Sequence, residues 1–136
     1  MSGETNLERI LNNLSARLRS DVYVFCSIPN GKYGDLTAAN PIASFQEKEG
    51  LSLVMTQQEA TQNKLSYEGT FRCITLDIHS SLHAVGLTAV VSQALAEKQI
   101  SANMIAGCHH DHIFIPTSLA EQALRIIENI STRISK

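Results

Sequence analysis

Three histidines and an aspartate occupy four consecutive positions, 109–112, inside the stretch "GCHHDHIFIP". Imidazoles and carboxylates serve as metal ligands, general bases and proton carriers. A second group lies upstream in "HSSLHAVGL", residues 79–87, where the hydroxyls of Ser80 and Ser81 stand between His79 and His83. Nucleophilic catalysis needs a hydroxyl, a base within reach, and donors for an oxyanion. Ser80 and His83 offer the first two by residue type, and Asp77 could orient the imidazole. The chain contains no G-x-S-x-G elbow, P-loop or dinucleotide fingerprint. No catalytic residue and no enzymatic activity are expected.

A zinc or nickel ion needs three or four ligands. His109 and His112 can fill two positions if they face each other across a hairpin, with His79, His83 or Asp111 supplying the rest. No helical H-x-x-x-H and no CxxC or CxxH spacing supports them. The expectation is therefore no metal and no cofactor, with His109 and His112 as the metal alternative. Solvent-exposed or interface histidines are the simpler reading.

The totals narrow the partners. The 136 residues suit one domain, or two small ones sharing a core. Apolar residues make up 43% and aromatics only 5%, with no Trp, so the core must be aliphatic. Eleven basic and thirteen acidic residues give a charge of −2 without a basic cluster, which argues against nucleic acid. No apolar run approaches the roughly 18 residues of a spanning helix. The start "MSGETNLER" is no signal peptide. Cys26, Cys73 and Cys108 are odd in number and sit in apolar runs, as reduced cysteines of a cytoplasmic protein do.

Hydrophobic periodicity then supplies the elements. Thr5 and Glu8 form a capping box ahead of Leu7, Ile10, Leu11, Leu14 and Leu18, predicting a helix that runs to Arg17 and Arg19. Residues 21–29 read as a buried strand and residues 30–41 as a loop. "IASFQ" and "LSLVMT" read as two strands, before a short helix capped by Thr56 and Glu59 and ending near Asn63. Residues 70–78 alternate as a strand. A helix then carries Leu87, Val90, Val91, Ala94 and Leu95 on one stripe. "SANMIAGC" and "HIFIP" are strands, and Ser118 with Glu121 caps a last helix striped by Ala120, Ala123, Leu124, Ile127 and Ile130. The order is β-α-β-β-α, one strand short of a split βαβ unit. The histidine stretch becomes a hairpin. A two-residue loop at His110 and Asp111 would set His109 opposite His112, Cys108 opposite Ile113 and Ala106 opposite Ile115.

"HSSLHAVGLTAVVSQALAEKQISANMIAG", residues 79–107, resembles the ACT domain, the amino-acid-sensing module of aspartokinases. With "NPIASFQEKEGLSLVM" and "GCHHDHIFIP", the chain is similar to small standalone bacterial proteins of two ACT-like halves, and more distantly to CASTOR-type sensors. The resemblance implies an α+β fold: a tandem of ferredoxin-like βαββαβ units, with antiparallel sheets, helices on one face and the first half degenerate. The halves are expected at residues 1–66 and 67–136. It also implies an amino acid or other small ligand at ACT–ACT interfaces and a homodimer or higher homo-oligomer, and it implies no enzymatic activity, so a non-enzymatic regulatory role is expected. The alternative is a metal-binding or structural dimerisation module using the histidine hairpin. Where ACT helices commonly end in Gly, this chain has Gln99.

The loop before the second-half helix has its own physics. Unpaired N–H groups and the positive dipole end of a helix suit a carboxylate. The backbone of Val85, Gly86 and Leu87, with the hydroxyls of Ser80 and Ser81, would hold it, and His79 would set side-chain preference. The resemblance places the strand with Asn103, Met104 and Ile105 against such a loop of a neighbouring unit, with Asn103 and nearby carbonyls receiving the ammonium group.

Overall fold

The structure, a computed structural model, describes residues 6–77 and 82–134. In chain order the elements are α1 (Leu7–Asn12), β1 (Ala16–Pro29), β2 (Ala43–Glu47), β3 (Gly50–Thr56), α2 (Gln57–Gln62), β4 (Phe71–Leu76), α3 (Leu87–Ala96), β5 (Asn103–Ala106), β6 (Asp111–Pro116) and α4 (Ala120–Ile134). Backbone contacts divide the chain into two compact units. One is the contiguous segment Asp21–Phe71, and the other joins Met1–Ser20 to Arg72–Lys136.

In the unit made from both ends of the chain, the strand order is β1-β4-β6-β5. Ile74 and Leu76 of β4 and Ile113 and Ile115 of β6 point to one face. There they meet Ile10 and Leu11 of α1, Val91 and Leu95 of α3, and Ala123, Ile127 and Ile130 of α4. Burial of this aliphatic set is the main source of stability. The strand missing from the C-terminal half is supplied by residues 16–20. The Asp77 N–H donates to the Ser15 carbonyl at 2.8 Å, and the Arg72 guanidinium donates to the Arg19 carbonyl at 2.6 and 3.0 Å.

This overturns the long N-terminal helix. α1 ends at Asn12, because the N–H and the side-chain amide of Asn13 both donate to the Arg9 carbonyl and close the turn. From Ala16 the alternation is period two: Ala16 and Leu18 pack on the core, while Arg17 and Arg19 alternate to the other face. Leu14 and Leu18 fit a helical spacing equally well, which is why periodicity misled. The cap is Asn6, whose side chain accepts the Arg9 N–H at 3.0 Å.

In the contiguous unit the order is β2-β3-β1. Val24 pairs with Met55, Cys26 with Leu53 and Ile28 with Leu51, all facing one core. Thr56 caps α2, accepting the Glu59 N–H at 3.2 Å, and α2 stops at Asn63 as predicted. The position of a first helix is taken by residues 30–42, which contain a single 3-10 turn, Thr37–Ala39. A second 3-10 turn, Thr117–Leu119, runs directly into α4. Ser118 lies inside that turn, so the third capping box is not formed as expected.

Candidate functional site

The histidine hairpin turns two residues earlier than predicted. Ala106 pairs with Asp111, Ile105 with His112 and Met104 with Ile113, and the Gly107 N–H donates to the His110 carbonyl at 2.9 Å. Cys108 and His109 therefore form the tip. His109 is not opposite His112, and the two cannot act as a cross-strand pair. The faces survive because the error is an even shift: Ile113 and Ile115 still point to the core. Among the described residues no three His, Cys, Asp or Glu side chains are grouped to hold a metal.

The corrected register carries Asp111 to a cleft of about 530 Å³. Its lining joins the approach to α3 (Leu82, Ala84, Val85, Gly86), the first turn of α3 (Leu87, Thr88, Ala89) and the end of the hairpin (Ala106, Asp111). Gly86 is the helix N-cap in the left-handed region, φ 106°, and among the described residues no side chain caps α3. Among the described residues the first N–H groups of α3 have no intrahelical or side-chain acceptor, and they carry the positive end of the dipole. A Cβ on Gly86 would lie 2.7 Å from Cδ2 of Leu7, so the glycine makes room for α1. Burial pushes the Asp111 carboxyl above the usual carboxylate range, against the opposing pull of His112 and His110.

Of the predicted site residues, Val85, Gly86 and Leu87 line this cleft. His79, Ser80 and Ser81 lie outside the described residues. Asn103 lies farther along β5, and its amide donates to the Phe114 carbonyl at 3.2 Å. Met104 packs against the core, and Ile105 pairs with His112. Ala106, Thr88 and Ala89 carried no expectation, and Asp111 was expected only as a possible metal ligand, yet all four line this cleft. The signal for Asp111 was the turn: Cys108 and His109 at the tip would have placed it opposite Ala106.

On the sheet face away from the helices, His112 Nδ1 lies 3.0 Å from the hydroxyl of the buried Thr75. Burial lowers the His112 pKa, and Arg19, His110 and Arg17 lower it further. Burial raises the Cys73 thiol pKa as well. The Cys73 side chain is fully buried, which suits an inert core thiol.

ACT domain models match residues 2–72 and 68–129. The chain belongs to the ACT domain family, whose modules are regulatory and bind small molecules such as amino acids. It is similar to a protein of unknown function from Vibrio cholerae, described as a possible transport protein. That pair shares 45% identity and a TM-score of 0.84 over 92% of this chain and 95% of the other. An Agrobacterium tumefaciens protein matches at 13% identity and a TM-score of 0.72, over 87% of this chain and 89% of that one. The ligand-free regulatory subunit of aspartate kinase from Thermus thermophilus matches at 16% identity and a TM-score of 0.58, over 85% and 95%. The last two show likeness of fold. No curated protein matches the chain. No described helix is long and apolar enough to cross a membrane.

Proposed function

We propose that this chain is a non-enzymatic, cytoplasmic regulatory protein whose ligand is an amino acid, bound at the α3 cleft. The observation that carries the reading is the uncapped N-terminus of α3 sharing one cleft with Asp111. A zwitterion fits that pair of charges. Its carboxylate would accept from the N–H groups of Leu87, Thr88 and Ala89, and its ammonium group would meet Asp111. His79, Ser80 and Ser81 precede this turn and are proposed to add polar contacts. Asn103, Met104 and Ile105 of a second copy are proposed to close the cleft, since β5 ends its strand order with one edge unpaired. Ligand binding would then select one arrangement of the copies, an output of population rather than chemistry.

Calorimetry with the common amino acids tests this. One amino acid should bind, and Asp111→Asn should weaken it about tenfold or more. Ala106→Phe should fill the cleft and abolish binding. An amino acid whose affinity ignores both changes would place the site elsewhere.

A further inference from the structure

The contiguous unit carries a second cleft, of about 610 Å³, which exists because a loop stands where the first ferredoxin-like helix would cover β3. Its floor is Leu51 and Leu53, and Pro41 and Ile42 form an apolar wall. Tyr33, Asp35, Thr37, Asn40 and Ser44 supply its polar groups. The volume is that of a small-molecule site. Asp35 is the only charged residue in the lining among the described residues.

The loop is held in place by its own side chains. Gln46 accepts the Tyr33 N–H at 2.7 Å and donates to the carbonyls of Gly31 at 2.9 Å and Gly50 at 3.3 Å. Asp35 Oδ2 accepts the Lys32 N–H at 2.9 Å, while Oδ1 makes no hydrogen bond among the described residues. Leu36 is held in the left-handed region, φ 59°, a costly conformation for leucine, with its side chain against the core. A cleft kept open by a tied loop is ready for a ligand without further ordering.

We propose that this cleft binds a small organic cation, an ammonium group on a short apolar body, and rejects its carboxylate-bearing counterpart. Asp35 pairs with the ammonium group, and the exposed Tyr33 ring adds cation–π attraction. Leu51, Leu53 and Ile42 take the apolar body. A carboxylate would meet Asp35 with no Lys, Arg or His among the described lining residues to offset it. The site is independent of the α3 cleft.

The probe is phenethylammonium, followed by calorimetry on the full chain. Binding should weaken about tenfold or more in Asp35→Asn, which keeps an acceptor for the Lys32 N–H. Ser44→Phe, at an exposed position on β2, should block it. Asp111→Asn should leave it unchanged. In the Asp111→Asn background, L-phenylalanine should bind at least about tenfold more weakly than phenethylammonium. The proposal is overturned if the probe does not bind, if binding ignores Asp35→Asn and Ser44→Phe, if it falls with Asp111→Asn, or if L-phenylalanine binds equally well.

Discussion

The hydroxyl of Thr75 and Nδ1 of His112 lie 3.0 Å apart, tying β4 to β6 on the sheet face away from the helices. Thr75 is almost wholly buried, so its hydroxyl needs this partner. Burial first, then Arg19, His110 and Arg17, favour the neutral imidazole against the opposing pull of Asp111.

A pH dependence of stability follows. The folded pKa of His112 lies below its ordinary 6.5. The contribution is therefore complete above that value and is lost as pH falls through the folded pKa. The melting temperature should drop on acidification in this window. His112→Gln, which keeps a hydrogen-bonding side chain, should flatten that part of the curve. Identical slopes in both proteins would remove His112 as the cause.

Ligand binding should carry a carboxylate signature of its own. Asp111 titrates above the usual range because burial disfavours its charge. An ammonium group needs the ionised form, so amino-acid affinity should rise with pH through that raised pKa and then level off. The Asp111→Asn variant should show no such rise when titrated calorimetrically.

Two helices close on strained residues. The Ile100 N–H donates to the Leu95 carbonyl at 3.0 Å with Gln99 at φ 60°, and the Leu65 N–H donates to the Ala60 carbonyl at 2.9 Å with Lys64 at φ 58°. These are glycine-type closures made without glycine. Gln99→Gly and Lys64→Gly should each stabilise by about 0.5–1 kcal/mol in urea denaturation, the relief of strain exceeding the added chain entropy.

Gly50 gives the opposite case. Its φ is 148°, and a Cβ there would run into the Ile28 carbonyl oxygen and lie 2.8 Å from the Asn30 nitrogen. Both obstacles are backbone, across the β1–β3 pair. Gly50→Ala should cost about 3 kcal/mol, read from the shift in denaturation midpoint.

Assembly is read at β5. An uncharged strand that ends its sheet order invites pairing. Sedimentation at micromolar protein should give a dimer, and Ile105→Lys should shift it toward monomer. A monomeric parent protein would refute this.

Much of this was legible in the residues. The stripes of α3 and α4 predicted Leu87, Val91, Leu95, Ala123 and Ile127 as core because a helical repeat over many residues has no strand equivalent. Residues 14–19 misled because Leu14 and Leu18 satisfy one period while Ala16 and Leu18 satisfy the other. Only pairing with β4 decides between them, and that partner lies far away in sequence. The hairpin register failed for a related reason. Cys108 and His109 carry no Asn-Gly signal for a tight turn, so the apolar pairs fixed the face but not the slip along it. Asp111 was hidden by that slip.

The unit assembled from both chain ends also has a schedule. On the ribosome, α1 and the first residues of β1 emerge before anything they pack against. Ile10, Leu11 and Leu14 must wait for Ile127 and Ile130, their core partners much farther along the chain. The segment Asp21–Phe71 is complete as soon as Phe71 leaves the exit tunnel. Between that point and the emergence of α4, a nascent chain carries one finished unit behind a sticky apolar leader, a state in which a holdase chaperone has something to grip.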